Sequence, residues 1–394
     1  MALVLLPLAG ALAAIAGYLT VLGLAATLRR LPIPPRTSIP YRFAVLVPAH
    51  DERTVIKRLL ESLRQQELPD GTCDVFVVAD NCSDDTAAIA RGLGATVHER
   101  SDRALLGKGH ALRWLIERVR DAPCDAFVFL DADSVVDRRF LARLAARLAA
   151  GSMVVQAYYR VLDPAASPLS GLREAALASL HYLRPLGRSA LGLSCGLKGN
   201  GMCFAADLLR AHGWGSVGLA EDVELHLDLV RVGVRVDFAP EATVAADMPT
   251  TLAAARSQNL RWEAGRLGAA RRIAIPLLVD GVRRRDPIRI DAAIEQLIPP
   301  LSVGLGAAVG LTVLGAAAGN APLATTSLLA AVGLLGHVVL GLRAVGAPLR
   351  IYGALLFAPP YIAWKIAIYL RAIVLPADHP WIRTSRAGTG AAER

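Results

Sequence analysis

The chain has 394 residues, 54% of them apolar, and a formal charge of +9. A soluble enzyme of this size is seldom so apolar, so membrane segments are the first expectation. The charge sits largely in arginines beside hydrophobic blocks, which suits membrane topology and anionic lipid and makes no case for nucleic acid.

Residues 1–30 stay apolar for about 28 positions, enough for a bilayer core of about 30 Å. No basic stretch precedes them, and they end on Arg29 and Arg30. They read as a retained transmembrane helix with its C-terminal end in the cytoplasm. A second apolar region, 295–375, opens with "LIPPLSVGLGAAVGLTVLGAAAG" and "LATTSLLAAVGLLGHVVLGL", joined by the uncharged "NAP". The basic "RRRDPIR" before the pair belongs inside, and the joining loop outside. The third piece, 351–375, carries Pro359, Pro360, Trp364, Lys365 and Arg371. Those residues favour a helix in the headgroup region over a span. Residues 376–394 are then a cytoplasmic tail.

Between the membrane pieces, 40–275 form one domain-sized block. "FAVLVP" predicts a buried strand, and Val55, Ile56, Leu59, Leu60 and Leu63 share one helical face after it. "CDVFVVAD", "ATVHE" and "CDAFVFLDAD" predict three more strands, alternating with the helices of "SDDTAAIARGLG" and "KGHALRWLIERVR". That alternation predicts an α/β domain with a mostly parallel sheet. The five cysteines show no metal-ligand spacing, and His50, His98, His110, His181, His212 and His226 read as structural.

Ligands bind at the carboxyl ends of such strands. Three polar clusters fall there: "PAHDE", "ADNCSDDT" and "DADS". A single Asp at a strand end commonly caps a helix or starts a turn; three on one rim point to a site. Asp131 and Asp133, two apart on an extended chain, would point the same way. Hard oxygen donors of that kind suit Mg2+ or Mn2+ bridging a diphosphate. No "GxxxxGK[ST]" loop is present, which excludes a P-loop site.

The series "VPAHDE", "ADNCSDDT", "GKG", "DAD", "AED" and "QNLRW" resembles the family 2 glycosyltransferases. It looks closest to their membrane-embedded branch of cellulose, hyaluronan and poly-N-acetylglucosamine synthases and ceramide glucosyltransferases. The resemblance implies a Rossmann-like, GT-A type nucleotide-sugar domain inserted between N- and C-terminal transmembrane helices, with the catalytic domain facing the cytoplasm of an inner membrane. It implies that Ala49, Asp51 and Glu52 flank the nucleotide, Asp80 contacts the uracil, Asp84 supports that pocket and Lys108 lies near the diphosphate. Asp131 would contact the nucleotide and Asp133 the metal, Mg2+ or Mn2+. Asp222, beside Glu221, would be the general base. Gln258, Arg261 and Trp262 would close over the diphosphate and acceptor, and Gly199, Asn200 and Gly201 resemble the acceptor-side loop. The near-terminal "WIRTSR" resembles a segment that packs against the active site.

Elementary chemistry agrees with those roles. Inversion by direct displacement needs a base on the acceptor side and charge neutralisation on the leaving side. Gln258, Arg261 and Trp262 fall at i, i+3 and i+4, on one helical face. Asp222 could equally cap the helix it opens, and the "QNLRW" helix could equally be a basic amphipathic helix on the membrane. The expected activity is transfer of a sugar from a cytoplasmic UDP-sugar to an acceptor hydroxyl, building a β-linked polysaccharide. Two features favour a glycolipid instead: "AED" stands where the polymerising synthases usually have "TED", and the membrane portion is small. A non-catalytic nucleotide-binding protein is the third alternative. Expected partners are the donor, a glycan or lipid acceptor, membrane lipids, and self-association or an accessory export protein.

Overall fold

A computed structural model describes residues 2–29 and 31–374; the expectations for the tail and for "WIRTSR" lie outside the described residues. One sheet contains β1 (Arg42–Ala49), β2 (Thr72–Asp80), β3 (Thr96–Arg100), β4 (Ala126–Phe129), β5 (Ser134–Val136), β6 (Val154–Val161), β7 (Met202–Ala205) and β8 (Asp237–Ala246), in the order β3-β2-β1-β4-β7-β6-β8-β5. β1 pairs in parallel with β2 and β4, β2 with β3, and β6 with β8. The β4–β7, β6–β7 and β5–β8 pairs are antiparallel. The expected α/β architecture with a mostly parallel sheet is the one that forms. Helices Ile56–Arg64, Thr86–Gly92 and Lys108–Val119 supply the crossovers between its first four strands.

Successive side chains of a strand face opposite ways. Val45 and Val47 of β1 therefore join Ile56, Leu59, Phe140 and Leu144 on one side of the sheet. Ala44 and Leu46 join Leu112, Leu115, Leu225 and Leu229 on the other. With both faces covered, β1 is a continuous apolar run, as parallel strands usually are. Truncating fully buried Leu46 to Ala would cost about 2–5 kcal/mol.

At "DADS" the structure differs from the extended chain expected. The last ladder bond to β1 runs from Leu130 N to Leu46 O, 3.2 Å, and Ser134 N then donates to Asp131 O, 3.0 Å. Asp131 and Asp133 thus sit in a turn that redirects the chain into β5, which pairs with β8 instead of β1. Both residues reach the cavity wall from that turn and not from a pleated strand.

Among the described residues three helices are long and apolar enough to cross a membrane: Leu5–Leu28, Ala321–Ala344 and Leu349–Val374. The last of these meets that standard despite the prolines and lysine that favoured an interfacial helix. The "LIPPLSV" segment is broken: Pro287–Leu297 and Leu301–Ala317 meet at 68°. Ile298 there adopts extended backbone, because the following Pro299 disfavours helix in the residue before it. The N-terminal helix docks onto the domain by backbone contact: a Cβ on Gly187 would lie 2.2 Å from Leu22 O.

Buried charges reinforce this junction. Arg188, 1% exposed, donates from Nε to Asp291 Oδ2 at 2.8 Å and from Nη2 to Glu295 Oε2 at 2.5 Å. It also donates to Tyr18 OH at 2.7 Å, and that hydroxyl donates to Asp291 Oδ1 at 2.6 Å. Arg184 adds a second pair to Glu295. Five side chains from three helices thus pair with one another, as buried charge requires.

Candidate active site

A cavity of about 1210 Å³ opens at the carboxyl ends of β1, β2 and β4. Ala49, Glu52, Asp80, Lys108, Asp131, Asp133, Gly199, Glu221, Asp222, Gln258, Arg261 and Trp262 all line it. Segments far apart in the chain thus converge on one chamber.

Lys108 is the hub. Its Nζ donates to Asp131 Oδ1 at 2.6 Å and to Gly199 O at 2.5 Å, and lies 3.6 Å from Glu221 Oε1. Gly107, with φ of 115°, lets the chain turn into the helix that carries Lys108. Gly199 adopts φ of 74°, and a Cβ there would lie 3.4 Å from Asp222 Oδ2 and 3.6 Å from Lys108 Nζ. Glycine thus brings loop backbone against the Asp222–Lys108 pair without strain.

Burial pushes Glu221 up to about 7, opposed by Lys108 and reinforced by the neighbouring Asp222. Asp222 is also raised: burial outweighs the help its carboxylate receives from Lys108, the Val223 backbone N–H and Lys198. Such a carboxylate is more basic than an exposed one, as a general base should be. Glu221 and Asp222 open the helix Glu221–Arg231, so they also sit at the positive end of a helix dipole.

Other expected residues act one layer behind the cavity wall. Asp51, at φ of 52°, accepts Ser83 N at 2.6 Å and Asp84 N at 3.2 Å. Asp84 accepts Thr86 N at 2.9 Å and Arg53 N at 3.3 Å. Together they tie the loops after β1 and β2. Asp51, Cys82 and Asp84 have ligand-type atoms within 4.8 Å of one another, but both carboxylates are already occupied with backbone N–H groups. Asn200, fully buried, accepts Asp131 N at 3.2 Å and donates to Ser134 Oγ at 2.9 Å, bracing the "DADS" turn. Gly201 serves packing: a Cβ there would lie 2.6 Å from Val244 Cγ1. Asp80 lines the cavity while its Oδ1 accepts Arg100 Nη1 at 2.5 Å and Asn81 Nδ2 at 3.1 Å.

Gln258, Arg261 and Trp262 share the helix Leu252–Ala269, started by Thr251 accepting Ala254 N. Burial lowers the Arg261 pKa, and the charges of Glu221 and Asp131 partly offset it. Gln258 Oε1 is buried without a partner.

Sequence reasoning passed over Lys198 and Arg173 and read His226 as structural. Lys198 lines the cavity and supports the Asp222 carboxylate; its place in "GLKGNG", beside the glycines, was the available signal. His226 lines the same wall, with Nε2 2.9 Å from Ser194 Oγ, and burial pushes it down to about 3, so the ring is neutral. Arg173 also lines the cavity, and nothing in its surrounding sequence marked it.

The carboxylate donor set fits a divalent cation. Asp131 and Asp133 offer hard oxygens on one turn at the cavity wall, and Mg2+ or Mn2+ needs only one or two protein carboxylates when phosphate oxygens supply the rest.

Comparison with known proteins agrees with this architecture. The family described as "Glycosyltransferase like family 2" matches residues 40–265. A probable glycosyltransferase, YdaM of Bacillus subtilis (strain 168), is 25% identical over 235 residues, covering 57% of this chain and 55% of that protein. The 4,4'-diaponeurosporenoate glycosyltransferase of Staphylococcus aureus (strain MRSA252) is 38% identical over 92 residues, 23% of each chain. The chain thus spans about half the length of the first of these relatives and about a quarter of the second. Among solved structures, the mannosyltransferase PcManGT from Pyrobaculum calidifontis, in complex with GDP-Man and Mn2+, superposes with a TM-score of 0.60 at 20% identity. The alignment covers 94% of this chain and 99% of that one, which shows a shared GT-A fold. The chain belongs to glycosyltransferase family 2.

Proposed function

We propose that this chain is an inverting membrane glycosyltransferase that moves a sugar from a cytoplasmic UDP-sugar to the hydroxyl of a membrane-held amphiphile. The observation that carries the acceptor class is the reach of the cavity. From Asp131, Asp133 and Asp222 it continues without a break to Leu301, Leu305, Leu334 and Val338. Those leucines and valine lie on helices whose composition suits a bilayer. A polar reaction centre opening into an apolar helix bundle suits an acceptor with a hydroxylated head and a hydrocarbon tail.

In this reading residues 1–30 and 295–375 hold the 40–275 domain at the cytoplasmic face of the membrane. Asp80 keeps Oδ2 for the base of the nucleotide, and Ala49 and Glu52 flank it. Asp133, with Asp131, would hold the Mg2+ or Mn2+, which when bound neutralises charge on the departing diphosphate. Lys108 and Arg261 add fixed positive charge on the leaving side. Asp222 takes the proton of the acceptor hydroxyl as that oxygen attacks the anomeric carbon from the face opposite the diphosphate, which inverts the configuration.

A second reading, synthesis of a β-linked polysaccharide, is favoured by Trp262 of "QNLRW". The side chain lines the cavity and is 38% exposed, offering a plate on which a sugar ring could stack. One experiment separates the two: purified chain in lipid with Mg2+ or Mn2+ and labelled UDP-sugars, following UDP release and the partition of label. The proposal expects label in the organic phase as a single-sugar adduct. Label in a long water-retained product that a specific glycosidase digests would establish the polymer reading instead.

A further inference from the structure

We infer that Arg173 receives an oxyanion, carboxylate or phosphate, carried by the amphiphilic acceptor; this rests on the acceptor class proposed above. Arg173 lies on the helix Pro168–Leu177 and is 6% exposed. Its Nε and Nη2 are buried with no hydrogen-bond partner. Nη1 reaches only Met248 Sδ, at 3.9 Å, a weak acceptor. The guanidinium lies 5.8 Å from the Trp262 ring centroid. Among the described residues no carboxylate forms an ion pair with it, and burial lowers its pKa accordingly.

A buried guanidinium cannot lose its proton to escape that cost, and a buried charge without a counterion is normally paired. The buried arginines near the membrane helices, Arg184 and Arg188, meet Glu295 and Asp291. Arg173 breaks that pattern at the wall of the reaction cavity. A ligand oxyanion would complete it, and the planar fork suits a carboxylate or phosphate.

The position favours the acceptor over the donor. The helix of Arg173 packs on the membrane-side turn Ala354–Phe357, so closely that a Cβ on Gly171 would lie 2.7 Å from Ala354 Cβ. Met248 and Trp262 flank the guanidinium, whereas Lys108 already stands at the carboxylate cluster. Farther along the same cavity Lys198 is a second cation without an ion pair among the described residues.

The test is calorimetric titration of the full chain in neutral phosphatidylcholine nanodiscs with decyl phosphate, decanoate and decanol, after subtracting empty-nanodisc heats. Wild type is expected to bind the two anions at least tenfold tighter than the alcohol. Arg173→Gln should bring all three within about twofold, with Arg173→Lys between. UDP binding with Mn2+ should be the same in all three proteins, which also shows that each is folded. Equal affinity of wild type for decyl phosphate and decanol would overturn the inference, as would discrimination that survives in Arg173→Gln. Two further outcomes overturn it: loss of UDP affinity in Arg173→Gln, which assigns the guanidinium to the donor diphosphate, and displacement of decyl phosphate by inorganic phosphate at equal affinity. Anion-selective binding together with label only in a water-retained polymer would leave the Arg173 site standing and sink the proposed function.

Discussion

Lys365 Nζ lies 2.8 Å from Glu263 Oε1 and 2.8 Å from Asn259 Oδ1. This joins the C-terminal apolar helix to the "QNLRW" helix. Lysine in an apolar helix is costly when it faces lipid; here it is 6% exposed and points into protein. Burial pushes Glu263 up, but the charges of Lys365 and Arg266 outweigh it and hold the carboxyl below its usual range. One face of the helix Leu252–Ala269 therefore grips the membrane part while Gln258, Arg261 and Trp262 line the cavity.

Removing one partner of this pair leaves the other buried and unpaired, which costs about 3–5 kcal/mol. Lys365→Met should therefore shorten the thermal half-life of the protein in lipid and lower transfer. Adding Glu263→Gln should restore part of both. Losses that simply add in the double variant would show that the pair does not couple the helices.

Asp222→Asn should reduce transfer by about 10²–10⁴-fold, the usual contribution of a general base, while UDP binding stays intact. Asp133→Asn should also abolish turnover, but by weakening nucleotide binding in the presence of Mn2+ and sparing it in EDTA. Undiminished turnover in either variant would remove that residue from its role.

The raised pKa of Asp222 sets a pH dependence. The base must be ionised, so kcat/KM for the acceptor should rise with pH through a limb displaced upward from an ordinary Asp. Lys108 favours the Asp222 carboxylate, so Lys108→Met should move that limb to still higher pH as well as slow the reaction. A limb that stays in place, or moves down, would contradict the electrostatic coupling.

Glu221 makes a matching prediction for stability. Its pKa is raised from 4.5 to about 7 in the folded protein. Folding therefore favours the protonated form, a contribution fully present below pH 4.5 and lost as pH rises through 7. Glu221→Gln should stabilise the ligand-free protein at pH 8 by on the order of 2 kcal/mol and have little effect near pH 4. Melting curves in nanodiscs at the two pH values decide it; equal shifts at both would point to packing instead of charge.

Much of this molecule was legible in the chain. β1 to β4 and their crossover helices announced themselves because a buried parallel strand must be apolar throughout and an amphipathic helix must repeat every 3.6 residues. The resemblance carried by "DAD", "AED" and "QNLRW" picked out Asp131, Asp133, Glu221, Asp222 and the Gln258, Arg261 and Trp262 face, which line one cavity. Other features were decided only when distant segments met. The "DADS" turn follows from β5 choosing β8 as its partner. Asp51, Asp84 and Asn200 serve backbone that lies next to them in space and not in sequence. The pairing of Lys365 with Glu263, and the absence of a carboxylate ion-paired with Arg173 among the described residues, depend on how membrane helices settle against the domain. A charge reads alike in sequence whether it faces water, a partner or an empty cavity. Burial decides its energy, and burial is a property of the packed whole.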